Sequence, residues 1–191
     1  MALGDLLARR GMPTLEIAVE ASALRRPEVQ RVVALAPLTR VPRALQTDVA
    51  PWPYRPQGRV AVGEAISLRI VPPQAGYVSV FNLGAGGGCE RLWPDAGDNA
   101  EWFPAGSSAT LPRAGEKLWR LGGPLTSQSR GLEVFLVTLC QEKAVLELGQ
   151  IHRALGRGPA CGAGAACLEF AFGLVLLEVL AWPEKAMEGT G

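Results

Sequence analysis

Apolar and polar residues alternate along much of this chain. LEIAVEA at 15–21 sets Leu15, Ile17, Val19 and Ala21 against Glu16 and Glu20, and a period of two is that of a half-buried strand. VQRVVAL at 29–35 fits a strand or a short helix. Prolines then punctuate 37–56, ending in PWPYRP at 51–56. Each proline removes a ladder donor, so this stretch reads as an extended connector.

From Gly63 the pattern becomes regular. AISLRIV at 65–71 places Ile66, Leu68 and Ile70 on one face, and YVSVFNL at 77–83 follows a PPQAG turn. ERLW, SATLP, EKLWRL and LEVFLVTLC continue the series, separated by PDAGDN, PRAG and GGPLTSQSRG. Short strands between turn signals predict a sandwich or a rolled sheet.

The period changes after Cys140. Ala144, Leu148, Ile151 and Leu155 in QEKAVLELGQIHRAL (141–155) form one helical stripe, although Gly149 costs about 1 kcal/mol there relative to Ala. LEFAFGLVLLEVLAW at 168–182 falls short of a membrane span and carries Glu169 and Glu178. Its alternation predicts a long buried strand. The fold class expected is mainly β: a β-sandwich-like domain with one amphipathic helix and added N- and C-terminal strands that pair and extend the sheet. The expected divisions are 1–58 (strand or arm plus connector), 59–142 (sandwich) and 143–191 (helix and C-terminal strand packed on the sandwich).

The 191 residues are 48% apolar and 19% charged, enough to bury a core. With 19 basic and 18 acidic side chains, the chain lacks the cationic excess by which nucleic-acid binders displace counterions. No nucleic-acid or membrane partner is expected. Asp5 interrupts the only apolar run of MALGDLLARRGM, so no signal peptide is read there. A cytoplasmic protein with its four cysteines as thiols is the expectation that follows.

Candidate chemistry is sparse. GAGGG at 84–88 lacks the GK[ST] of a phosphate loop, and Pro94 arrives before a helix could form. It reads as the tip of a β-hairpin. His152 is the only histidine, so any Ser-His or Cys-His hydrolase must use it, with Cys140 as a candidate nucleophile at a strand end. The favoured reading makes His152 a helix residue and Cys140 a buried thiol, with no catalytic residue assigned. Cys161 and Cys167 lack the CxxC spacing of structural zinc sites. Asp95, Asp98, Asn99 and Glu101 depart from a calcium loop and read as turn chemistry. No metal or cofactor is expected. Tyr77, Phe81, Trp93, Trp102, Phe103 and Trp119 lie close together in sequence. They read chiefly as core, with Tyr77, Trp93, Asp95, Trp102 and Trp119 the candidates for a binding surface.

One ordered set of landmarks remains: Gly63-Glu64, Gly76-Tyr77 with Phe81-Asn82, Leu92-Trp93-Pro94-Asp95, Ala105-Gly106 through Pro112, and VFLVTL at 134–139. Over about residues 60–142 this order resembles a bacterial family known as domain of unknown function 4384, departing from it at Trp93 and Asp95, where Phe and Asn are usual. The resemblance implies a small β-sandwich module that travels with caspase-like peptidases, kinases and other bacterial signalling or defence proteins. It carries no catalytic residues, and Gly76, Asn82, Pro94, Asp95 and Gly106 would be turn and packing determinants. The expected function is a non-enzymatic accessory module that docks on a protein partner, such as a co-encoded peptidase or signalling protein. Two alternatives stand beside it: a cysteine or serine hydrolase using His152, and a structural homo-oligomer built through the C-terminal strand.

Overall fold

A computed structural model describes residues 15–23, 26–41, 54–83, 89–95, 101–121, 131–141 and 171–180. The described strands are β1 (Glu16–Ala23), β2 (Arg26–Val33), β3 (Gly58–Ala61), β4 (Ala65–Val71), β5 (Gly76–Leu83), β6 (Cys89–Trp93), β7 (Trp102–Phe103), β8 (Ala109–Leu111), β9 (Trp119–Arg120), β10 (Gly131–Cys140) and β11 (Ala171–Leu180). They form two sheets. Sheet I has the order β2-β1-β4-β8, with β9 also paired to β4; sheet II has the order β3-β11-β10-β5-β6, with β7 also paired to β5. The β-sandwich-like architecture expected from the alternation is therefore present. Beyond Gln141, the proposed helix at 141–155 lies outside the described residues, as does the glycine run at 84–88. The strands flanking the glycines do pair antiparallel, with Leu83 opposite Cys89, so the chain turns back between them.

One expectation is corrected. The N- and C-terminal strands do not pair with each other but enter opposite sheets. β1 lies between β2 and β4, whereas β11 lies between β10 and β3. Alternation fixes which face of a strand is buried but is silent on its neighbour, and here the better-matched ladders are with β4 and β10. The chain just before β1 nevertheless touches β11, where the Leu15 N–H donates to the Phe172 carbonyl at 3.0 Å.

The core fills the space between the sheets. Val19, Ile66, Leu68 and Ile70 from sheet I face Val78, Val80, Phe135, Val137, Val175 and Leu177 from sheet II. The opposite face of sheet II is buried as well: Phe81, Leu136, Thr138 and Leu176 are all 0–1% exposed. This explains the near-continuous apolar runs of β10 and β11, since a strand covered on both faces needs no polar alternate. Thr138 is the exception on this face, and its Oγ1 has no hydrogen-bond partner among the described residues. An unpaired buried hydroxyl is destabilising, whereas an isosteric apolar group is not. Thr138→Val is therefore expected to raise stability by about 1 kcal/mol, read as a higher urea midpoint at unchanged slope.

The landmark residues serve this frame. Gly63 has φ 83°, a conformation that glycine adopts without strain, and its N–H donates to the Leu121 carbonyl at 2.8 Å. Glu64 beside it is buried, and its Oε2 accepts from the Ala61 N–H at 2.8 Å and from Arg31 Nη2 at 2.7 Å. A Cβ on Gly76 would come within 2.6 Å of the Cys140 carbonyl oxygen, so only glycine lets β5 approach β10 this closely at that position. Gly106 has φ 69°, and its N–H donates to the Pro72 carbonyl at 2.8 Å.

Candidate functional site

Each sheet carries two short strands in tandem along one margin. β9 pairs with Ala65 and Ile66 at the start of β4, and β6 pairs with 80–83 at the end of β5. Because β4 and β5 are joined by the turn at 72–75, those two points share one end of the sandwich. A groove of about 660 Å³ opens there, lined by Asn82 and residues of β6, β9 and β10, together with Asp95, Lys117 and Leu118.

Its base is apolar and ordered: Phe135 is fully buried and Leu121 is 4% exposed. Above them Asn82 Nδ2 donates to Glu133 Oε2 at 2.9 Å, which holds a largely buried carboxylate in the wall. The rim is mixed. Glu90, Arg91, Asp95 and Lys117 line it, and none has an ion pair among the described residues. Leu118 stands between the charges with 42% of its surface exposed, beside the partly buried Trp119. Among the described residues the lining includes no histidine, cysteine, serine, threonine or tyrosine. The described lining can desolvate an apolar side chain and meet charges of both signs.

The five residues singled out as a binding surface do not come together. Asp95 and Trp119 line the groove. Trp93 is opposite Val80, packs against the core and buries its Nε1 without a partner among the described residues. Tyr77 and Trp102 are cross-strand neighbours at the other end of sheet II, with ring centroids 5.0 Å apart at 73°. Trp102 is 49% exposed. Nearby, the Arg113 guanidinium lies 6.0 Å over the Phe103 ring and is ion-paired with Glu101.

No protein family, curated protein or solved structure matches this chain.

Cys140 requires a correction. It is 2% exposed at the end of β10 and is disulfide-bonded, so it is not the free thiol of the sequence reading. A sulfur held in a disulfide is no thiolate, and Cys140 cannot act as a hydrolase nucleophile in this state. The N-terminal sequence on which the thiol expectation rested carries no information about the surroundings of a strand-end sulfur. His152 lies outside the described residues. No cluster of three or more His, Cys, Asp or Glu that could hold a metal occurs among the described residues, and no described helix is long and apolar enough to cross a membrane.

The groove residues missed by sequence reasoning are Glu90, Arg91, Lys117, Leu118, Arg120 and Glu133. Glu90 and Arg91 sit in a strand whose register slips by one position between Val80 and Phe81. Leu118 precedes a strand of only two residues, too short to display a period. The one available signal was an apolar Leu118 flanked by Lys117 and Trp119, a pattern that alternation assigns wrongly to the core.

Proposed function

We propose that this chain is a non-enzymatic accessory module that binds a protein partner through the groove between β6 and β9. The observation that carries this reading is the rim: four charged side chains, none ion-paired among the described residues, line the same groove as an exposed Leu118 and a partly buried Trp119. Unpaired charges around an apolar anchor are the complement of a protein surface, in which the apolar centre supplies the affinity and the charges fix register. The resemblance to domain of unknown function 4384 supports the same reading and supplies its setting. There the partner is a bacterial peptidase, signalling or defence protein made alongside the module.

Of the landmark residues, Gly63, Glu64, Gly76 and Gly106 serve turns, packing and internal hydrogen bonds, whereas Asn82 and Asp95 line the groove itself. The oligomer reading has less to rest on. β11 has β10 on one side and β3 on the other, so exchange through it would first have to displace a paired strand.

The test is affinity purification of the full chain, tagged at its own locus, beside Leu118→Asp and Trp119→Ala. Loss of a central hot-spot side chain typically costs at least about 2 kcal/mol, so recovery of the partner should fall by about thirtyfold. The exposed Leu118→Asp should do so with its unfolding midpoint preserved, whereas Trp119→Ala also lowers stability because Trp119 packs against the core. Recovery of the chain alone, or of the same partner in equal amount with both variants, would refute the assignment.

A further inference from the structure

The disulfide at Cys140 has a partner that the register of sheet II narrows. Only Cys89, Cys161 and Cys167 can supply the second sulfur within the chain. Cys140 lies opposite Tyr77, near the start of β5, whereas Cys89 lies opposite Leu83 at its end. The six residue steps between Tyr77 and Leu83 span roughly 20 Å of extended strand. A disulfide needs Cα atoms within about 7 Å of each other, so Cys89 is excluded.

The other two cysteines belong to the connection between β10 and β11, which leaves and returns at the Cys140 end of the sheet. Leu139 is directly opposite Ala171, and Cys167 precedes Ala171 by four residues, a reach of at most about 14 Å. Burial of Cys140 to 2% exposure also keeps a sulfur of another molecule away.

We propose that Cys140 is bridged to Cys161 or Cys167 of the same chain, and that the protein matures where thiols are oxidised rather than in a reducing cytoplasm. Formation of the bond takes two protons and two electrons from the two thiols. They pass by thiol–disulfide exchange to an oxidant of the disulfide class, which leaves as two thiols. Once formed, the buried bond is shielded from attack by thiolates, as a structural disulfide requires. The inference is independent of what the groove binds.

The experiment is disulfide mapping of protein taken from the cells that naturally make it, with a thiol-alkylating reagent present at lysis. Trypsin separates the peptide 131–143, which holds Cys140, from the peptide 158–185, which holds Cys161 and Cys167, and both from the peptide holding Cys89. Without reduction, the first two are expected as one species lighter by two hydrogens than their sum, with Cys89 alkylated. Fragmentation then assigns Cys161 or Cys167. An alkylated Cys140 in the unreduced sample, a link to Cys89, or a link between two chains would overturn the proposal.

Discussion

Phe135→Ala is expected to lower the unfolding free energy by about 3–5 kcal/mol, the largest loss of any single substitution considered. Phe135 stands in the middle of sheet II, with Asn82 of β5 on one side and Val175 of β11 on the other. It is fully buried against the core shared with sheet I. Removing its ring forfeits the transfer free energy of the buried atoms and leaves a cavity that two hydrogen-bonded sheets cannot collapse to fill. Domains of this size are stable by only about 5–15 kcal/mol, so the variant should sit close to its unfolding threshold. Chemical denaturation followed by tryptophan fluorescence would measure this. A loss under about 1 kcal/mol would mean that the two sheets are not packed face to face at Phe135.

The second large effect is expected at Glu64. Its side chain is only 9% exposed, and it joins three elements: Arg31 of β2, the Ala61 N–H of β3 and the start of β4. Hydrogen bonds to a charged group are each worth about 1.5–3 kcal/mol, and Glu64→Ala removes the acceptor of the Ala61 N–H together with the Arg31 pair. Glu64→Ala should therefore cost about 2–3 kcal/mol. The Arg31 side chain is about half exposed and can turn to water, so Arg31→Ala should cost less, about 1 kcal/mol. Glu64→Gln keeps an acceptor for the Ala61 N–H and should fall between the two. A double-mutant cycle on Arg31 and Glu64 separates the ion pair from the backbone contact. Equal losses for Glu64→Ala and Arg31→Ala would show that the backbone contact contributes nothing.

These two sites mark how far the sequence could be read. Phe135 lies in LEVFLVTLC, where β-branched and aromatic residues crowd a run bounded by turn signals, and the strand there was legible. So were β1, β4, β5 and β11, whose alternation is long enough to have a period. β7 was not, because Trp102–Phe103 is two residues long. β3 was hidden as well, since Gly58–Ala61 follows a proline-rich stretch and its partner β11 lies far along the chain.

Pairing choices of this kind depend on contacts between distant segments, which no local pattern encodes. Glu64 fails for another reason. A carboxylate beside a glycine reads as a solvated turn, and only the fold brings Arg31 and the Ala61 N–H to it. The groove is the extreme case: its walls come from opposite sheets, and its exposed Leu118 resembles a core residue in sequence. Asp95 and Trp119 were named beforehand for their chemistry, but nothing local placed them together or separated them from Tyr77 and Trp102.

The most direct test of the central claim is site-specific photo-crosslinking in the native cell, with the photoreactive side chain placed at Leu118 in the groove or at the exposed Thr110 on β8. A partner-binding groove predicts one discrete protein adduct from position 118, absent from position 110 and lost when Asp95 and Lys117 are charge-reversed together. No adduct from position 118, or the same adduct in equal yield from position 110, would contradict it.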